Sequence, residues 1–319
     1  MERQALGRTR VELTRVALGC APLAGLYEAV DESQARATMD AAWDAGIRGF
    51  DTAPHYGAGL SEQRVGAALR ERPRDELALC TKVGRLLVEP DGASPETFSF
   101  EGAPRLERRF DFSRDGVLRS LEESLERLDL DRVDVAHVHD PDDHLDQAIA
   151  EAFPALAQLR DEGVIGAVGA GMNQAEPLAR IAREADVDCV LVAGRYTLLD
   201  QRADPGLLDA CEERDVSVIA AAVFNSGILI DPGPGARFDY LLASEELRRH
   251  AQRLAAACDR HGVALPAAAM AFPLRHPAVA AVVVGMRSPG EVEANVRHAR
   301  AEIPPALWSE LDALGPAPL

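Results

Sequence analysis

The chain has 319 residues, 47% of them hydrophobic, with a formal net charge of -18 from 52 acidic and 34 basic side chains. That length suits one large α/β barrel or two ordinary domains. Such an acidic surface repels nucleic acid and anionic lipid, which argues against both as partners. The longest apolar stretches are short or broken by Pro, so no membrane span is expected. The five Cys are scattered without a C-x-x-C pair, and MERQALGRTR has no apolar signal core, so a cytoplasmic protein with reduced thiols is expected.

Taken in chain order, Leu6–Arg15 reads as a hairpin turning at Gly7-Arg8-Thr9, and Val16–Cys20 as a buried strand. Ser33–Ala45 has an Ala-rich helical face closed by Gly46. Ile47–Phe50 is an apolar strand, and Ser61–Leu69 a helix with Ser61 as its expected N-cap. Leu77–Lys82 is the third strand, followed by a long loop from Gly84 to Phe110, a length that usually signals function. Ser113–Leu128 is amphipathic, with Val117, Leu118, Leu121, Leu125 and Leu128 on one face. Four further strands are expected at 133–139, 164–169, 189–193 and 216–223, and an eighth at 278–284. Helices are expected at 145–160, 175–184, 205–214, 245–261 and 289–300, with a terminal one at 305–314. A second long loop covers 225–240. Eight strand–helix alternations without a linker predict a single-domain (β/α)8 TIM barrel over residues 1–319, with an N-terminal hairpin and long βα loops. An open doubly wound sheet is disfavoured, because no G-x-G-x-x-G follows the first strand.

In a barrel the C-terminal strand ends share one mouth. Asp51 and Tyr56 follow the second strand, Lys82 ends the third and His139 ends the fourth. Lys82 is the only Lys in the chain; the other 33 basic residues are Arg. A compact ammonium kept once points to work that a planar guanidinium does badly. Beside Tyr56 it would lower the phenol pKa from its usual ~10 and so make a proton donor or acceptor. Asp51 would hold the Lys, and His139 would orient an oxygen. Such a set suits hydride transfer, which needs a nicotinamide cofactor, or proton abstraction beside a carbonyl, as in an isomerase. His139, Asp140, Asp142, Asp143 and His144 lack ordered ligand spacing, so no metal is expected. His137 shares strand parity with His139 and is expected to be hydrogen-bonded inside the barrel. Arg195-Tyr196 either shapes the mouth or packs.

The segments GIRGFDTAPHYGAGLSEQRVGAAL, TKVGR, DVAHVHD, GAGMNQAEPL, RYTLLDQ, FNSGIL and GMRSPGEVEANV together resemble the aldo-keto reductase family over nearly the whole chain. The resemblance implies a catalytic tetrad of Asp51, Tyr56, Lys82 and His139. The stretches ALGCAPLAGLY, DPDDH, GMNQ, LVAGRYTLLDQ and VFNSG are similar to the branch that oxidises cyclic hemiacetals of L-fucose, D-arabinose or galactose type to lactones. Pyridoxal oxidation, general aldehyde or ketone reduction, and a slowly turning nicotinamide-binding regulatory protein are the alternatives. For the cofactor, NAD or NADP, the resemblance implies contacts from Asn173, Phe224, Ser226, Gly227, Gly285, Arg287, Ser288, Glu291 and Asn295. Three usual nicotinamide contacts are replaced, by Gly171-Met172, Ala193 and Ala221, with Asn173 and Phe224 as stand-ins. Glu291 falls where NADP-preferring members commonly carry Arg, and Arg287 pulls the other way, so NAD is favoured slightly. His55, Asp140, Arg195 and Asn225 are expected to meet a small-molecule sugar. A monomer or small homo-oligomer is expected.

Overall fold

The computed structural model describes residues 1–90 and 100–319. The N-terminal hairpin pairs β1 (Arg3–Ala5) with β2 (Glu12–Thr14), and the chain then enters the barrel at β3 (Val16–Gly19). β4 (Gly49–Asp51) and β5 (Ala78–Val83) follow. β6 (Arg85–Val88) and β7 (Glu107–Phe110) form an antiparallel ribbon above the mouth. β8 (Val135–His139), β9 (Ala167–Met172), β10 (Cys189–Ala193) and β11 (Ser217–Ala221) continue the barrel. A small hairpin, β12 (Arg237–Phe238) with β13 (Leu241–Leu242), precedes the closing strand β14 (Val279–Gly285). Eight parallel strands close in sequence order, β14 pairing with both β11 and β3. This is a (β/α)8 TIM barrel. Among the described residues no helix is long and apolar enough to cross a membrane.

Two shells of buried apolar residues hold it together. The larger lies between strands and helices and includes Phe50, Leu79, Val117, Val138, Leu178 and Leu254. The smaller fills the lower barrel with Leu6, Leu13, Val135, Cys189 and Ile219, so the hairpin plugs the end opposite the mouth. Removing such apolar surface from water supplies the main driving force, about 25 cal/mol per Å².

Several expectations need correction. The helix after β4 spans Leu60–Leu69 and its N-cap is Gly59, not Ser61. The Ser61 hydroxyl is buried instead, accepting from the Thr52 hydroxyl at 2.8 Å and donating to the Cys20 carbonyl at 3.0 Å. The two long loops carry structure: the first contains the β6–β7 ribbon, though residues 91–99 of it lie outside the described residues. The second contains a 3-10 turn at Asn225–Gly227 and the β12–β13 hairpin. The helix expected at 145–160 passes through a π-helical segment, Ala148–Ala152, before Phe153–Asp161. Pro154 has no N–H to continue an α-ladder there.

Candidate active site

The strand register brings four polar side chains together. Asp51 ends β4, while β5 and β8 pair with Lys82 opposite His137, so Lys82, His137 and His139 share the inward face. Lys82 is 1% exposed. Its Nζ donates to Asp51 Oδ1 at 3.0 Å and Oδ2 at 2.8 Å, to the Thr52 carbonyl at 2.9 Å, and lies 3.0 Å from Tyr56 OH. Tyr56 is carried by the tight turn after β4. Gly57 in that turn has φ +60, and a Cβ there would stand 2.7 Å from Ala24 Cβ, so only glycine fits. The His139 ring meets Tyr56 edge-on, centroids 6.1 Å apart.

Burial and neighbouring charge set the ionisation of this group. Burial pulls Lys82 down, but Asp51 and Tyr56 more than offset it, leaving the ammonium firmly charged. Tyr56 departs from expectation. Burial raises the phenol above its usual 10, and Lys82 only partly offsets this, because its charge is shared with Asp51. His139 lies well below the ordinary imidazole value through burial and then the Arg85 and Lys82 charges, so the ring is neutral at pH 7. His55 is pushed down to about 3 by burial, Arg85 and Arg108.

Two adjoining cavities meet at Tyr56, Asn173 and Ala193. The larger, about 290 Å³, is lined by Ala221, Phe224, Ser226, Gly227 and Gly285 among others. The smaller, about 170 Å³, holds His55, Lys82, Arg85, Phe100, His139 and Asp140. A bigger open groove of about 1030 Å³, lined by Arg3, Arg74, Arg160 and Asp188, sits at the opposite end of the barrel, away from these strand ends.

Of the sequence candidates, the tetrad, His55, Asp140, Asn173, Phe224, Ser226, Gly227 and Gly285 gather here. Ser288 is the N-cap of the helix Pro289–Ala299, its hydroxyl accepting from the Glu291 N–H at 3.2 Å. Glu291 accepts from the Arg287 N–H at 2.9 Å and pairs with its guanidinium at 3.0 Å. Asn295 is buried on the same helix. These four do not line either cavity. Asn225 and Arg195, expected to meet the substrate, are both engaged by protein groups. Asn225 borders the larger cavity, but its amide accepts from Thr197 at 2.6 Å and donates to the Gly194 carbonyl at 3.0 Å. Arg195 forms a bidentate pair with Asp239 at 2.8 and 2.9 Å and anchors the β12–β13 hairpin. His137, expected to be hydrogen-bonded, has no partner for either ring nitrogen among the described residues; it is fully buried and pushed down to about 3 by burial and Lys82. Sequence reading missed Arg85, Arg108, Phe100 and Tyr240. The TKVGR segment already contained Arg85, but nothing in it showed that the ribbon folds back.

The model of the Aldo/keto reductase family matches residues 15–316, and the chain belongs to that family. It is 46% identical to a D-threo-aldose 1-dehydrogenase of a Pseudomonas species, over 92% of this chain and 91% of that one. It is 39% identical to a pyridoxal 4-dehydrogenase of Microbacterium luteolum, over 98% and 97% of the two chains, and 33% identical to an L-galactose dehydrogenase of Arabidopsis thaliana, over 99% and 90%. Among solved structures, the holo form of aldo-keto reductase AKR11C1 from Bacillus halodurans superposes with a TM-score of 0.77 at 25% identity, covering 100% of this chain and 98% of that one. The protein is therefore an oxidoreductase enzyme of a family that uses nicotinamide cofactors, NAD or NADP.

Proposed function

We propose that the protein oxidises the C1 hemiacetal hydroxyl of an aldose to a lactone, using NAD+ in preference to NADP+. The observation that carries this reading is Tyr56, whose hydroxyl stands 3.0 Å from the Lys82 ammonium and lines both cavities at once. A proton acceptor there reaches a ligand in the smaller cavity while facing the larger one. Burial holds Tyr56 as a phenol at neutral pH, so it must ionise first; its phenolate then takes the hydroxyl proton with the Lys82 ammonium stabilising it, and oxidation should speed up as pH rises. Neutral His139 donates to the same substrate oxygen and orients it. Asp51 keeps Lys82 charged and aimed. Resemblance to an aldose 1-dehydrogenase and an L-galactose dehydrogenase supports a sugar as the substrate.

The larger cavity fits a nicotinamide cofactor. A Cβ at Gly227, where φ is +100, would meet nothing within 4 Å, so backbone is open to a ligand there. Asn173 and Phe224 would hold the nicotinamide end, and Ser226, Gly227 and Gly285 the middle. Ser288 and the helix it caps would hold a phosphate. Bound there, the cofactor supplies the hydride acceptor. The preference for NAD+ rests on Glu291, which with Glu28 at 2.9 Å surrounds the Arg287 guanidinium and offsets its charge. A carboxylate in that place repels a 2′-phosphate.

Steady-state turnover of L-fucose, D-arabinose, L-galactose, D-galactose and pyridoxal with both cofactors tests the reading. Glu291→Arg should raise the NADP+ to NAD+ ratio of kcat/KM at least about tenfold, or 1.4 kcal/mol. An unchanged ratio would place 2′ discrimination elsewhere. Turnover of pyridoxal alone would favour the second relative's chemistry over the first.

A further inference from the structure

We propose that Arg85 and Asp140 together read the hydroxyl on the carbon next to the reacting carbon. This rests on the aldose reading above and names the recognition element within it.

Strand alternation would send Asp140 to the face opposite His139. It does not, because Asp140 leaves the strand in a left-handed conformation, φ +45, with its N–H bonded to the Gly171 carbonyl at 3.0 Å. Both side chains therefore line the smaller cavity. Asp140 Oδ2 stands 3.6 Å from His139 Nε2, too far for a hydrogen bond and close enough for adjacent atoms of one ligand to touch both.

Arg85 arrives from the ribbon and forms an ion pair with Asp140. Its side chain is 11% exposed, and its guanidinium lies over the Phe110 ring at 4.9 Å. Its Nε is buried without a hydrogen-bond partner among the described residues. Arg108, on the other strand of the ribbon opposite Leu87, donates to the His55 carbonyl at 3.4 Å and adds a second positive charge. A largely buried ion pair with an unsatisfied donor costs stability unless a further polar group completes it. A hydroxyl completes it: it donates to the carboxylate and accepts from the guanidinium. An apolar substituent does neither. With the reacting oxygen between Tyr56 and His139, the substituent nearest Asp140 belongs to the neighbouring carbon. The cavity, about 170 Å³, is well below the roughly 300–1,000 Å³ usual for drug-sized ligands and suits a single sugar ring.

The test is a cycle of enzyme variants against substrate pairs. Take the best-oxidised sugar among L-fucose, D-galactose, L-galactose and D-arabinose, and its 2-deoxy counterpart, with wild type, Asp140→Ala and Arg85→Gln. Wild type should favour the parent sugar by at least about 100-fold in kcat/KM, because the deoxy analogue leaves buried polar groups unpaired. In both variants the preference should fall to within about threefold, through loss on the parent sugar and not on the analogue. The wild-type ratio needs no variant to fold. A wild-type ratio near one, or a preference retained in both variants, overturns the proposal while aldose oxidation stands. No turnover of any aldose overturns both.

Discussion

Lys82 makes four polar contacts with a single nitrogen while 1% exposed, and no planar guanidinium reproduces that geometry in so little space. Lys82→Arg should therefore lower kcat by at least about 100-fold in folded protein; activity within twofold of wild type would contradict the role assigned to it. The tetrad positions were legible because rare chemistry sat at strand ends: one Lys in a chain of Arg, and an Asp, a Tyr and a His flanking it. The direction of the Tyr56 shift was not legible. It is the difference between a burial penalty and the attraction of an ammonium whose charge Asp51 shares, and a sequence shows the partners without their depth. The partners of Asn225 and Arg195 were hidden for a related reason. A polar loop residue is as able to tie the loop to itself as to meet a ligand, and Thr197 and Asp239 claimed these two.

At the scale of elements, alternation of short apolar runs with amphipathic segments located all eight strand–helix units. The fifth barrel strand, expected at 164–169, is found at Ala167–Met172. Its sequence, AVGAGM, gives little hydropathic signal, and at Gly169 neighbouring side chains fill the space a larger residue would need. A Cβ at Gly169 would stand 2.3 Å from His137 Nδ1 and 2.9 Å from Cys189 Sγ. The β6–β7 ribbon was illegible because its strands are far apart in sequence and no short turn announces them. Helix packing was equally hidden. Gly66 lets the helix Leu60–Leu69 approach the end of Arg114–Leu128 so closely that a Cβ would fall 1.9 Å from the Leu128 carbonyl oxygen. Beside it, buried Glu62 accepts from Thr81 at 2.7 Å and Arg127 at 2.6 Å, tying this contact to the residue before Lys82. Gly66→Ala should thus destabilise the protein by about 1–3 kcal/mol, read as a fall in the urea midpoint. An unchanged midpoint would mean that the two helices separate freely.

The whole molecule sets a positive pocket inside an acidic shell. The net charge is -18, yet Lys82 and Arg85 line the smaller cavity, paired with Asp51 and Asp140, and Arg108 lies beside it at the His55 carbonyl. The barrel makes this possible by closing helices around a mouth whose chemistry comes from separate strand ends. The reaction we propose for it takes place on the closed ring of a sugar, whose C1 carries both the hydroxyl that gives up a proton and the hydrogen that leaves as hydride. Early-time NMR of a C1-labelled aldose turned over with NAD+ tests this most directly. The lactone should appear first and the open acid only afterwards, as the lactone hydrolyses in solution. Acid forming with no lactone at any time, or reduction of open-chain aldehydes with no oxidation of any sugar, would contradict it.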